Sequence, residues 1–417
     1  MKIDVIRAIL LAILPFWVSA QDGFEFIIED TLSIKCFSTF IDDTGNYISL
    51  GLSGNPSNYT YDAMILQFKS PDDLKIEKYQ KTDTSYSFWF GFVLESGNYF
   101  VVGTIDDNDD IYRKNLYVAE INPDLEIVKE NIYGIPPTYN SLSLADLYVD
   151  SDSIVVISGM VDDPAPGWVR DLYVAKLNVN GELLDTTISS YYDNDSFGEI
   201  LRKQDGSGYY LIGGCSFAEL IELDNNINIT GSQPIDPNNI YQGAIGARWL
   251  ASGNIIIASL ANQEVPGAFY DLRVRVSNTE LDALKDTVII DNGKNFLPML
   301  SGLDFTDENN IWVATYPQMG KSNADWEYGR IYLFDNNLNV KGAKYFGGTL
   351  SLYLYSLKAL EDGGCIITGI AADDKVKGYT DVFIKKVMPD DILTHAEETP
   401  EPADRDVLLY PVPLANT

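Results

Sequence analysis

The chain has 417 residues, 46% of them hydrophobic, which is ample for a large core, and a formal net charge of −32. A field of that sign repels phosphate backbones, which excludes nucleic acid as a natural partner and favours a soluble surface. His395 is the only histidine, so Ser-His-Asp and Cys-His catalysis and His-based zinc or copper sites are excluded from the body of the chain.

Residues 1–20 read as a signal peptide. Lys2 and Arg7 form a basic start, Ala8 to Val18 an apolar run too short to span a bilayer, and Val18-Ser19-Ala20 a small-residue cleavage site. No later segment approaches membrane length without charges, so an exported, monomeric protein without a membrane-spanning segment is expected.

From residue 21 to 395 a unit recurs at intervals of roughly 46 to 56 residues, the period of four-stranded propeller blades. Each unit opens with a tight turn and an apolar strand. These are Gly45–Gly51, Gly97–Gly103, Asp152–Ser158, Gly208–Gly213, Gly253–Ala258, Asn309–Ala314 and Gly363–Gly369. A less regular apolar stretch precedes each of them, such as Ser87–Leu94, and suits the inner strand a. A strand c follows, as in Asn115–Ala119 and Asp171–Ala175, rich in β-branched and aromatic residues. Turn residues such as Asn122-Pro123-Asp124 and Asp335-Asn336-Asn337 then close a hairpin into a polar outer strand d. The fold class is all-β, a seven-bladed β-propeller. Stacked sandwiches would need units near 100 residues, and a β-helix much shorter ones.

Phe24–Glu29 precedes the first unit by the spacing of a strand d. It is expected to pair with strand c of the last unit, near Asp381–Val387, and so close the ring. Ile392-Leu393-Thr394 competes for that slot. The cysteines Cys36, Cys215 and Cys365 are odd in number, which argues against a disulfide framework. Ring closure makes the units of Cys36 and Cys365 neighbours, so a bridge between them stays open.

The loops between strands b and c carry a recurrent composition. Aromatics precede strand c at Tyr59 and Tyr61, Tyr112, Trp168, Phe269 and Tyr270, Trp326 and Tyr328, and Tyr379. Sugar rings stack on such faces, so Tyr112, Trp168, Tyr270, Trp326, Tyr328 and Tyr379 are candidate ligand-binding residues; packing between blades is the plainer account of so regular a feature. The fourth unit lacks this loop, because Gly214-Cys215-Ser216 leads almost directly to Phe217. Acidic loops offer oxygen ligands for calcium at Asp106, Asp107, Asp109 and Asp110, and at Asp193 and Asp195, although neither follows the EF-hand spacing. No catalytic residue is assigned.

The segments Asp362–Gly369 and Glu308–Thr315 resemble the repeats of secreted bacterial propellers, a likeness that spans residues 24 to 395. Residues 396–406 have the composition of an acidic, Pro-containing linker. Val407-Leu408-Leu409-Tyr410-Pro411-Val412-Pro413 resembles the opening strand of a type IX secretion sorting domain, with Val412 where Asn is usual, so residues 407–417 would be either a truncated start of that domain or only more linker. The resemblance implies export and release or attachment at the cell surface. A secreted or surface binding scaffold for glycan or protein is therefore expected. A glycan-directed hydrolase or lyase with paired carboxylates on the b–c loop face is the alternative.

Overall fold

The computed structural model describes residues 23–28, 32–55, 60–81, 84–107, 110–150, 153–162, 170–189, 198–213, 218–235, 244–262, 270–290, 300–316, 328–347, 351–372, 380–393 and 408–411. Its strands form seven antiparallel sheets, one per sequence unit, which together make a seven-bladed β-propeller. Blade 1 holds Ser33–Ile41, Tyr47–Asn55, Thr60–Phe68 and Lys75–Tyr79 as strands a to d. Blade 2 holds Tyr86–Val93, Tyr99–Asp107, Asp110–Ile121 and Ile127–Tyr133. Blade 3 holds Ser141–Val149, Ile154–Asp162, Arg170–Asn178 and Leu183–Ser189. Blade 4, with the shortest b and c strands outside blade 6, holds Gly198–Arg202, Gly208–Gly213, Glu219–Asp224 and Ile229–Pro234.

Blade 5 holds Ala244–Trp249, Ile255–Asn262, Tyr270–Ser277 and Ala283–Ile290. Blade 6 holds Leu303–Asp304, Ile311–Thr315, Tyr328–Phe334 and Val340–Gly347. Blade 7 takes Ser351–Ala359, Cys365–Ala372 and Thr380–Val387 from the end of the repeat and Phe24–Ile28 from its beginning. That N-terminal strand runs antiparallel to strand c of blade 7, from Phe24 opposite Lys386 to Ile28 opposite Val382. The ring closes as the strand spacing predicts. Ile392 and Leu393 lie in a short helix, α1 (Pro389–Leu393), and do not compete for the slot.

The core is a set of layers between blades. Among the described residues the buried apolar side chains fall into clusters, each joining neighbouring blades. Ile48, Leu50, Val101 and Tyr117 join blades 1 and 2, and Ile28, Tyr47, Phe68 and Ile384 join blades 7 and 1. Alternation along the strands explains this, because each sheet presents one apolar face to each neighbour. Strands d carry the polar residues outward, as the exposed Lys129 and Glu130 show.

The c–d turns differ from the sequence expectation in one respect. The left-handed backbone falls on Leu125, Ile227, Leu281 and Leu338, with Gly181 in blade 3, and not on the Asn and Asp residues. Those polar residues brace the turn instead. Asp335 Oδ1 accepts hydrogen bonds from the Asn337 and Asn339 amides at 2.8 Å, and Asp224 Oδ1 does the same for Asn226 and Asn228. Burial of each aliphatic side chain in an inter-blade layer offsets the roughly 1–2 kcal/mol cost of its left-handed backbone. The strand d of one blade then reaches the turn of the next. Tyr79 donates to the Leu125 carbonyl at 2.7 Å, Tyr133 to that of Gly181 at 2.7 Å, and Thr287 to that of Leu338 at 3.2 Å. At the last interface α1 takes the place of this turn. Ile392 presses on Gly342 of blade 6, where a Cβ would lie 2.3 Å from the Ile392 side chain.

Cys36 and Cys365 are buried free thiols in different inter-blade layers, so no bridge joins them. Cys215 lies outside the described residues. The backbone of Leu408–Pro411 adds a fifth strand to blade 5. Among the described residues no helix is long and apolar enough to cross a membrane.

Candidate functional site on the propeller axis

Half of the candidate residues singled out from the sequence lie outside the described residues: Trp168, Trp326, Tyr379, Asp109, Asp193 and Asp195. For Tyr112, Tyr270, Tyr328, Asp107 and Asp110 the backbone alone is described, in strands. Asp107 pairs with Asp110, so the ladder between strands b and c of blade 2 extends to that pair. Asp106 sits just before it, opposite Lys114. Burial raises its pKa, against the pull of Lys114 and a hydrogen bond with Ser85. Among the described residues no group of three or more metal-ligating side chains converges.

The structure instead directs attention to the inner strands. Strand a carries a β-bulge at one place in blades 1, 2, 3, 5 and 7. The extra residues are Phe37, Trp89, Ala145, Ile245 and Tyr355. A bulge re-aims the side chain of the extra residue. In blades 7, 1 and 2 the three re-aimed side chains are aromatic, and they meet. Phe37 stacks on Trp89 with ring centroids 4.3 Å apart and planes 6° from parallel, and it meets Tyr355 edge-on at 5.3 Å. Leu300, from the segment before strand a of blade 6, joins the same cluster. That segment crosses to blade 7, where the Leu300 amide donates to the Tyr355 carbonyl at 3.0 Å and the Leu357 amide to that of Ser301 at 2.9 Å.

Towards the b–c loop end lie two more tyrosines. Tyr316 follows strand b of blade 6, and Tyr353 lies two residues before Tyr355; their rings are 6.1 Å apart at 75°. Burial, with the neighbouring tyrosines, pushes the Tyr316 and Tyr355 hydroxyls up to about 12, so both stay protonated at neutral pH. Tyr316, Tyr353, Tyr355 and Trp89 are each half-buried. Blades 6, 7, 1 and 2 thus contribute one aromatic patch on one side of the axis.

A charged cluster spans the rest of the ring and overlaps the patch in blades 6 and 7. Asp146, Glu199, Arg248, Asp304 and Lys358 come from the inner strands of blades 3 to 7 in turn. Arg248 pairs with Glu199 and, at 3.3 Å, with Asp304; Lys358 pairs with Asp304 at 2.9 Å. Each carboxylate also accepts a backbone N–H from the next blade. Ile200 donates to Asp146 at 2.8 Å, Ala247 to Glu199, and Ala359 to Asp304 at 3.0 Å. Burial pushes Asp146 up to about 6 despite the pull of Arg248. Burial also opposes ionisation of Asp304, but Arg248 and Lys358 outweigh it and hold that carboxyl below its usual value. Three carboxylates face two cations in a cluster whose oxygens are largely committed to neighbours.

The bulged aromatics had a signal in the sequence. A glycine in strand b lies opposite the bulge, because strand a crowds that position: a Cβ on Gly51 would lie 1.8 Å from the Lys35 carbonyl oxygen, and one on Gly103 1.8 Å from that of Ser87. Gly51, Gly103, Gly159 and Gly369 each follow the left-handed turn residue of their unit by the same interval, after Gly45, Gly97, Ser153 and Gly363.

No protein-family model matches the chain, and no curated protein matches it. Solved structures do. A protein of unknown function from Dyadobacter fermentans is 8% identical with a TM-score of 0.51, over 88% of this chain and 98% of that one. The GH93 α-L-arabinofuranosidase of Fusarium graminearum, in complex with arabinobiose, is 10% identical with a TM-score of 0.48, over 89% of this chain and 98% of that one. A subtype N10 neuraminidase-like protein of A/little yellow-shouldered bat/Guatemala is 10% identical with a TM-score of 0.42, over 88% and 97%. At these identities the likeness is one of fold.

Proposed function

We propose that this propeller is an exported binding scaffold, acting outside the cell or on its surface, and that it takes a glycan on the b–c loop side of the axis. The observation that carries this reading is the asymmetric patch of Tyr316, Tyr353, Tyr355 and Trp89. Aromatic faces stack on the apolar faces of sugar rings, and protonated tyrosine hydroxyls donate and accept hydrogen bonds. Export rests on the signal-like residues 1–20, and surface delivery on the likeness of residues 407–413 to a sorting strand. A hydrolase or lyase draws less support. The described axial carboxylates are committed to Arg248, Lys358 and inter-blade amides.

The test is a glycan and peptide array probed with the secreted protein, with and without Ca²⁺ because of the acidic loops at Asp106–Asp110 and Asp193–Asp195. Tyr353→Ala and Tyr316→Ala should each remove the glycan signal while leaving the melting temperature within a few degrees. Retained binding by both variants sinks the assignment of the patch. A signal that moves to peptides redirects it to protein ligands.

A further inference from the structure

Outer strands of a propeller are open edges. Each presents unpaired backbone groups that could capture another strand, and proteins guard such edges with charges, especially Lys, or with Pro. Most outer strands here are guarded in this way. Blade 1 carries Lys75, Glu77 and Lys78, blade 2 Lys129 and Glu130, and blade 6 Lys341 and Lys344, while that of blade 4 ends in Pro234. Blade 5 carries Lys285 and Asp286 in its first half, and its second half, like those of blades 2 and 3, is uncharged. Thr287-Val288-Ile289-Ile290 is an uncharged, wholly β-branched run. That half of the edge is the place where the chain lays its own tail. Leu408–Pro411 pairs antiparallel with it, Leu408 opposite Ile290, Leu409 opposite Ile289, Tyr410 opposite Val288 and Pro411 opposite Thr287.

We propose that the outer edge of blade 5, Thr287–Ile290, is a strand-acceptor site for an extended, uncharged segment, and that the C-terminal strand Leu408–Pro411 is its resident, displaceable cover. The pairing is short and ends in Pro411, which has no N–H to give a ladder. A strand of four residues forms few hydrogen bonds, each worth about 1 kcal/mol net, so a longer partner strand can displace it. The chain between α1 and the tail strand, extended, reaches up to about 50 Å. That length lets the tail pass blade 6 and return to blade 5 of the same molecule. The match is of backbone to backbone, as in peptide recognition by strand addition.

A fluorescent peptide of residues 406–413 is titrated against the full chain and against a chain ending at residue 404, with anisotropy as the readout. The truncated chain should bind the peptide, and the full chain should bind at least tenfold more weakly because its own tail competes. Amide hydrogen exchange across Thr287–Ile290 should be at least tenfold faster in the truncated chain and slow again when peptide is added. A peptide carrying Leu408→Pro and Leu409→Pro together should not bind. Neighbouring amides of a strand point to opposite sides, so one of the two substitutions must delete a ladder donor. Exchange in strand b of blade 2 reports whether the truncated chain keeps its fold. Equal peptide affinity for both chains, no binding to a folded truncated chain, or unchanged exchange at Thr287–Ile290 overturns the proposal. Protection that rises with protein concentration, alongside a dimer in light scattering, overturns the assignment to the molecule's own tail in favour of a second copy.

Discussion

The inner strands of blades 1 and 2 and those of blades 5 to 7 occupy equivalent places around one axis, yet their chemistry is opposite. At one register, facing the corresponding residue of strand b, blades 1 to 3 place Phe40, Phe92 and Tyr148, and blades 5 to 7 place Arg248, Asp304 and Lys358. The aromatic sector is held by contact area, which is non-directional and tolerates small shifts. The charged sector depends on each partner being present. A buried carboxylate stripped of its cation keeps its desolvation penalty, so such a cluster is weak evidence of stability and strong evidence of mutual dependence. The difference suggests a division of labour. The half-buried Tyr316, Tyr353, Tyr355 and Trp89 can meet a ligand without upsetting the fold, whereas the charged network fixes how five blades sit against one another.

Opening the ring beside the aromatic sector should have the largest effect. Phe24 and Phe26 of the closing strand pack edge-on against Phe68 at 6.2 and 5.3 Å. Deleting residues 21–29 removes both and bares strand c of blade 7. The loss should be about 5 kcal/mol and bring aggregation, since the two half-buried Phe side chains and the buried Ile28 go together, each Phe contributing less than the about 3–5 kcal/mol of a fully buried one. An unchanged melting curve would count against closure by this strand.

Arg248→Ala probes the charged sector. It leaves Glu199 and Asp304, both almost fully buried, without their shared cation, and should cost about 3–5 kcal/mol in denaturant unfolding. Trp89→Ala, its counterpart on the aromatic side, should cost about 3 kcal/mol at most because Trp89 is half-buried. Adding Glu199→Gln and Asp304→Asn to Arg248→Ala should recover much of the loss. No recovery would show that Arg248 acts by packing alone.

A third test uses pH. The folded-state pKa of Asp146 is raised to about 6. Between about pH 4 and pH 6 the folded chain therefore keeps a proton that the unfolded chain has released, and this group's contribution falls as pH rises. Asp146→Asn lacks that slope and can still accept the Ile200 amide. Its stability relative to the parent should rise by on the order of 2 kcal/mol from pH 4 to pH 7. A flat difference would mean that Arg248 and Lys358 fully compensate the burial.

The smallest expected change lies in the a–b turn of blade 3, where the sectors meet. Ser153 is exposed at φ 61°. Ser153→Gly should stabilise by about 1 kcal/mol, because glycine enters that conformation without steric cost. The same exchange at Leu338 should destabilise, since its buried side chain is lost along with the strain. Equal signs in thermal melts would contradict the role given to the buried turn residues.

The number of blades, the strand roles and the ring closure were legible in the sequence, because a period of two within each strand and a glycine turn in most units survive sequence divergence. The free cysteines and the buried turn residues were less so. Leu125 and Leu338 read as ordinary strand residues, and only the backbone shows their left-handed conformation. The aromatic patch escaped because a bulge breaks the alternation that guides the eye. Cys36-Phe37-Ser38 and Leu354-Tyr355-Ser356 look like strand a slipping out of register. The charged side escaped for another reason: Asp146, Glu199, Arg248, Asp304 and Lys358 stand about 50 residues apart, and only closure of the ring brings them together.

The closing strand also sets an order of events. Glu25 and its partner Lys385 are 360 residues apart in the chain. Synthesis makes Phe24–Ile28 first, yet its place exists only once blade 7 has formed. Loop-closure entropy grows slowly with length, about 0.6 kcal/mol per doubling, so the final clasp costs on the order of 3 kcal/mol more than closing a hairpin within one blade. It is also late, and until then Phe24, Phe26 and both unpaired edges face water. The delay keeps the edges of blades 7 and 1 apart while the repeats between them assemble. The chain stays an open arc and becomes a ring only after its last repeat has been made.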